Sequence, residues 1–228
     1  MAFTNNWFKR SIPCMNALSA TEKYSERPIS ILEIGAYEGN STVWFLENIL
    51  THNDSTITSI DMCPQDTCMS NIKGSRNAHK HTLIIERSQT ALFSLVGRKF
   101  DLVYVDGSHF PDDILRDSVI AFELLAVGGV IVYDDYLNHT DRLLYLSEKS
   151  RADYYRLYNT HMNSNRLVVN SKSSYRSLGV IHPSDGINFF VHAYAPIIDC
   201  VYADNALGVR AYKKLGNSYD EHIIPTYI

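Results

Sequence analysis

The chain has 228 residues, of which 45% are hydrophobic and 20% charged, with a formal net charge of −4. That length suits a single domain with a substantial core, and the charge excludes a broad basic footprint, so nucleic acid is not an expected partner. The opening MAFTNNWFKRSIPCMNALSA lacks the continuous apolar core of a signal peptide, no run is long enough to span a membrane, and the four cysteines are too few for a disulfide scaffold, so a cytoplasmic protein with free thiols is expected.

Short apolar runs alternate with longer amphipathic segments over the first two-thirds of the chain. ISILEI (29–34) reads as a strand, followed by a helix over STVWFLENIL (41–50). STITSI (55–60) and HTLIIE (81–86) read as the next two strands, and SQTALFSLV (88–96) as helical. FDLVYVD (100–106) is a fourth strand, DDILRDSVIAFELLAV (112–127) a helix, and GGVIVYDD (128–135) a fifth strand. This order predicts an α/β fold, with a parallel sheet covered by helices on both faces and wound in the doubly wound manner. The stretch from about 138 to 182 is rich in Tyr, Ser, Asn and Arg with weak periodicity, and reads as an insertion serving as a lid or an oligomer contact. A helix is predicted over 183–196. IIDCVYAD and ALGVRAYKKL then flank a turn around Asp204 and Asn205, the signature of an antiparallel hairpin closing the sheet.

The chemistry begins in ILEIGAYEGNST (31–42). Gly35 allows a sharp turn off the first strand, and Gly39 allows close approach to the helix that follows. Open α/β sheets bind ligands at the carboxyl ends of their strands, where strand order switches. The spacing is not GxGxxG but ExGxxxG. An acid before the first glycine suits a ligand with a positive centre better than a pyrophosphate, which disfavours an NAD-linked oxidoreductase. Asp61 ends the second strand, where a carboxylate can accept both hydroxyls of a ribose.

On these motifs the chain resembles the class I S-adenosylmethionine-dependent methyltransferases over roughly residues 28 to 136. ILEIGAYEGNST is similar to the first cofactor motif of the catechol-type O-methyltransferases. With DLVYVDGSH and GGVIVYDDY it looks most like the methyltransferase 24 family. The resemblance implies a Rossmann-like sheet of seven strands, mostly parallel with an antiparallel C-terminal hairpin, in a single domain spanning 1–228. It also implies that Glu33, Gly35, Ala36, Tyr37, Gly39 and Ser41 line the methionine end of S-adenosylmethionine. Asp61 would hold the ribose, Met62 would lie against the adenine, Ser88 and Gln89 would flank it, and Asp106 would close the fourth strand near the transferred methyl.

Asp106, Asp134 and Asp135 are expected to project from neighbouring strand ends into one crevice. Carboxylates that close must raise a pKa, find a cation or point apart. Oxygen-rich sites suit Mg²⁺ or another divalent cation. In the catechol-type enzymes the corresponding positions hold Mg²⁺, with Asn where this chain has Asp135. The alternative is that Asp134 and Asp135 cap the following segment and bind no metal. His109, three residues after Asp106, stands where the catechol-type pattern has a lysine as general base. An imidazole with an ordinary pKa of about 6.5 can take a proton at neutral pH, and the alternative is a loop histidine capping the helix near Pro111.

The expected function is transfer of a methyl group from S-adenosylmethionine to a hydroxyl of a small-molecule acceptor, with metal assistance and His109 as base. The competing readings are a metal-independent N-, sugar or protein methyltransferase, and a non-catalytic cofactor-binding module for assembly, with a homo-oligomer compatible with either.

Overall fold

The computed structural model describes residues 1–136 and 183–217, so the insertion expected at 138–182 lies outside the described residues. One sheet of seven strands organises the fold, in the order β3-β2-β1-β4-β5-β7-β6. The strands are β1 Ser30–Ile34, β2 Thr56–Ile60, β3 His81–Ile84, β4 Phe100–Val105, β5 Leu125–Tyr133, β6 Ile198–Asp204 and β7 Val209–Lys214. The first five run parallel, whereas β7 pairs antiparallel with both β5 and β6. The expected doubly wound sheet with a closing hairpin is therefore present. At the hairpin tip Asp204 Oδ1 accepts the Ala206 and Leu207 N–H groups, an Asx turn that explains the tight reversal.

Strand parity decides which helices cover which face. Ile31, Ile57, Leu102, Tyr104, Val130 and Val132 are buried on one face with Met15 and Leu18 of α1 (Ile12–Glu22), Phe45 and Leu46 of α2 (Asn40–Asn48) and Ile72 of α3 (Cys68–Lys73). Leu32, Ile34, Val103, Val105, Ile131 and Tyr133 face the other way. They meet Leu92 of α4 (Ser88–Ser94), Ala121 and Phe122 of α5 (Pro111–Leu124) and Phe190 of α6 (Pro183–Tyr194).

Several boundaries differ from the sequence reading, and two of them bear on the site. α5 ends at Leu124, not 127, because Leu125 is fully buried and pairs with Phe100 at the start of β5. β5 ends at Tyr133, which leaves Asp134 and Asp135 just beyond the ladder. The N-terminal region is also structured, with a 3₁₀ turn over Trp7–Arg10 leading into α1. Phe8 is its anchor: the ring is 4% exposed and lies within 5.3 to 5.5 Å of the rings of Trp44, Phe45 and Tyr104. Among the described residues no helix is long and apolar enough to cross a membrane. All four cysteines are free thiols.

Candidate active site

Strand order reverses between β1 and β4, which opens a crevice at their carboxyl ends. The loop after β1 forms one wall. Gly35 has φ +95°, and a Cβ there would stand 2.0 Å from the Asp106 carbonyl oxygen. The tight turn off β1 therefore requires glycine, and it seats the loop against the end of β4. Gly39 also has positive φ, at +80°, but what crowds it is the Ile72 side chain of α3 at 3.0 Å. Its conformation starts α2, and its closeness is to a helix of the fold.

Asp61 holds this loop in shape. One of its oxygens accepts the Ala36 and Tyr37 N–H groups at 2.9 and 2.7 Å, and the other accepts Cys63 N–H at 2.8 Å. A carboxylate offers about four acceptor positions, so capacity remains for a ligand hydroxyl. Tyr37 has φ +48° and an exposed ring that stacks on Trp7, centroids 5.4 Å apart. Met62 is exposed as well.

Glu33 and Ser41 sit differently from the expected lining. Glu33 is fully buried, and its two oxygens accept hydrogen bonds from Ser41, Thr42 and Ser59 at 2.5 to 2.6 Å. Its side chain shares the parity of Ile31, so it points under α2 and ties β1, β2 and the first turn of α2 together. Burial raises its pKa above the ordinary carboxylate value, and the three hydroxyls oppose that rise. Ser41 Oγ is committed to the same carboxylate. Both residues support the loop from beneath.

Ser88 and Gln89 begin α4 and both reach one partner, the Asp117 carboxylate, at 3.0 Å each. Asp117 is 1% exposed. Burial pushes its pKa up to about 6, with Asp113 adding to the rise and the two hydrogen bonds opposing it. Its place on α5 fixes the Ser88–Gln89 turn.

The acid group divides. Asp106, His109 and Asp135 bring one ligand atom each within 4.8 Å of one another. His109 Nε2 lies 2.6 Å from Asp135 Oδ2. The helix start beside it is served by Ser108, whose Oγ accepts Phe110 N–H and donates to Asp113. Asp134 faces away from that group. Its Oδ2 accepts Arg10 Nε and Nη2 at 3.0 and 2.8 Å, and its Oδ1 accepts Ser11 Oγ. Arg10 Nη2 also bonds Asp135 Oδ1. Burial would lower the Arg10 pKa, but the bond to Asp134 and the charges of Asp134, Asp135 and Asp106 outweigh it, so the guanidinium stays charged. Burial, then Asp134 and Asp135, raise the Asp106 pKa well above the ordinary value, and Arg10 opposes them.

This arrangement bears directly on Mg²⁺, which prefers about six oxygen ligands in near-octahedral array. The converging atoms are two carboxylates and an imidazole, Asp135 already carries Arg10 and His109, and Asp134 is spent on Arg10 and Ser11. The three aspartates as arranged do not fit a shared Mg²⁺.

Residues 32–136 match the methyltransferase 24 family model, a methyltransferase domain. Over this segment the chain is similar to that family. The matched span starts in β1 and runs through Tyr136, so it contains the loop, Asp61, Asp106, His109 and both acids after β5. A protein of Mycobacterium sp. (strain JLS) named "Putative O-methyltransferase" is 28% identical over 123 residues, 53% of this chain and 54% of that one. Among solved structures, the O-methyltransferase TomG of Streptomyces achromogenes, in complex with S-adenosylmethionine, superposes with a TM-score of 0.57. It shares 17% identity over 90% of this chain and 80% of that chain. The O-methyltransferase of Bacillus cereus, in complex with S-adenosylhomocysteine, gives 0.56 at 13% identity, covering 94% and 93%. The chain spans about half the length of the curated relatives it matches.

The matched segment omits residues that sequence reasoning also missed. Arg10 and Ser11 precede the matched segment and reach its acids across 123 to 125 positions. Ser11 before Ile12-Pro13 is a helix-start signal, so α1 could have been read from it. Nothing local marks Arg10. Asp117 sits within a helix whose spacing looks only amphipathic, and its burial is set by α4 packing beside it.

Proposed function

We propose that the chain transfers a methyl group from S-adenosylmethionine to a hydroxyl of a small-molecule acceptor, with His109 as the general base. The observation that carries this reading is the 2.6 Å contact of His109 with Asp135 beside the crevice where β1 and β4 part. Further support comes from the family match and from the chain's structural neighbours, which include O-methyltransferases in complex with S-adenosylmethionine or S-adenosylhomocysteine.

In this reading Gly35, Ala36, Tyr37 and Gly39 carry backbone around the methionine end of the cofactor, with Glu33 and Ser41 bracing the loop below. Asp61 accepts the ribose, while Met62, Ser88 and Gln89 border the adenine. Asp106 lies nearest the sulfonium. The acceptor oxygen attacks the methyl carbon in line, the C–S bond breaks with its electron pair going to sulfur, and the sulfonium becomes a neutral thioether. The acceptor proton passes to the second ring nitrogen of His109. Asp135 fixes the tautomer of the ring and stabilises the imidazolium that forms. Holding the reactants at near-attack distance supplies much of the remaining acceleration. No step runs through a divalent cation.

The test is calorimetric titration with S-adenosylhomocysteine, followed by an acceptor screen with methyl-labelled cofactor. His109→Ala is expected to keep product affinity within about two-fold while turnover falls by roughly 10² to 10⁴. Absence of binding heat sinks the cofactor assignment, and full turnover in His109→Ala sinks the base.

A further inference from the structure

Arg10 is the feature that the proposed reaction does not use. It lies outside the matched family segment, yet it bonds both acids that follow β5, Asp134 Oδ2 at 2.8 Å and also Asp135 Oδ1. Asp134 and Asp135 are 0% and 6% exposed at the side chain. Two adjacent buried carboxylates leave water only when their charge is compensated and their lone pairs are satisfied. Arg10 supplies the charge, and its planar fork reaches both residues at once. Ser11 completes Asp134, and His109 completes Asp135. The guanidinium is held in place by its own segment. Phe8, two residues before it, is buried among three aromatic rings, and Ser11 O accepts the Met15 N–H in the first turn of α1.

We propose that Arg10 is the resident cation of this acid group, standing where a divalent metal would otherwise sit, and that it positions Asp135 for His109. This rests on the methyl-transfer reading above and deepens it. Arg10 touches no reacting atom. It turns the Asp135 carboxylate so that one oxygen faces the guanidinium and the other faces His109. With Arg10 in place the group has no use for Mg²⁺. Without it, Asp135 loses its paired charge, and the converging ligand atoms of Asp106, His109 and Asp135 are left as a group of the kind that captures a divalent ion.

The probe is Mn²⁺, followed by the loss of its free-ion resonance signal on the full chain without acceptor. Wild type is expected to leave the signal unchanged at equimolar ion. Arg10→Met, which keeps the length and removes the charge, is expected to bind Mn²⁺ at least about ten-fold more tightly than wild type, because one unit of nearby repulsion is gone. Arg10→Lys keeps the charge and should stay close to wild type. A titration with S-adenosylhomocysteine on the same samples, with EDTA and with Mg²⁺, reads the cofactor assignment separately and should not change between the two conditions. Stoichiometric Mn²⁺ binding by wild type overturns the proposal whatever the variants do. So does an Arg10→Met protein that binds the cofactor product but gains no Mn²⁺. Arg10→Lys serves if Arg10→Met does not fold, since a lysine variant that takes up Mn²⁺ as an uncharged site would also overturns the idea of a resident charge. Loss of product binding with these Mn²⁺ results intact would instead count against the methyl-transfer reading.

Discussion

Phe8→Ala tests whether the N-terminal segment is a working part of the fold. The ring is 4% exposed and meets Trp44, Phe45 and Tyr104 edge-on or tilted at 5.3 to 5.5 Å. Truncating a buried phenylalanine costs about 3 to 5 kcal/mol, the upper part of the range where neighbouring rings cannot collapse into the space. Each aromatic pair adds about 0.5 to 1.5 kcal/mol beyond its buried area, so the upper end is expected here. A domain of this kind has about 5 to 15 kcal/mol of stability in total, so the variant should fold but sit near the margin. With a urea dependence of about 3 kcal/mol/M, the midpoint should fall by about 1 to 1.7 M. The second readout is local. Trypsin should cut after Lys9 and Arg10 faster than the global destabilisation alone requires, because the 3₁₀ turn over Trp7–Arg10 loses its only deeply buried side chain. A midpoint shift below about 0.5 M, with unchanged cleavage, would mean that Phe8 does not seat this segment, and the account of how Arg10 is held would fail with it.

Three further outcomes are expected. Gly35→Ala places a Cβ 2.0 Å from the Asp106 carbonyl oxygen at φ +95°, so it should cost at least about 2 kcal/mol and abolish binding of S-adenosylhomocysteine; an unshifted thermal midpoint with normal binding would contradict the loop geometry. Asp117 has a folded pKa raised to about 6 from 3.8, so its contribution is favourable at low pH and is lost as pH rises from about 4 to about 6. Asp117→Asn should therefore gain on wild type across that window by about 2 to 3 kcal/mol at most, read by urea melts at pH 4, 5, 6 and 7, and parallel curves for the two proteins would refute the assignment. Glu33→Gln keeps an acceptor for the hydroxyls of Ser41, Thr42 and Ser59 and removes a buried charge, so at neutral pH it should lie within about 1 kcal/mol of wild type, whereas Glu33→Ala should lose about 2 to 4 kcal/mol; equal losses would show that the charge itself holds the network.

The sheet was legible because its strands are short apolar runs bounded by turn residues, and the closing hairpin because Asp204 and Asn205 interrupt two such runs. The end of α5 and the start of β5 were not, because LLAVGG suits either state and the decision is made by Phe100, which pairs with Leu125 from the neighbouring strand. α1 was missed for a different reason. It carries little amphipathic periodicity, and Cys14, Met15 and Leu18 are buried by what packs on them. At the crevice, the turn at Gly35 followed from spacing. The commitment of Glu33 to three hydroxyls did not, because Ser59 lies 26 positions away and only the register Glu33↔Ser59 brings it close.

The division of the acids follows from one rule that the sequence already contained. Successive residues at the end of a strand face opposite sides of the sheet. Asp134 continues the parity of Val130 and Val132, on the face covered by α1, and it meets Arg10 and Ser11 there. Asp135 continues the parity of Ile131 and Tyr133, on the face covered by α5, and it meets His109 in the loop before that helix. Adjacent acids therefore could not both be aimed into one crevice from a regular strand. Arg10 spans the two because its Nη2 bonds both carboxylates at the end of β5, and so the cation that the acids required came from a segment whose sequence gives no hint of them.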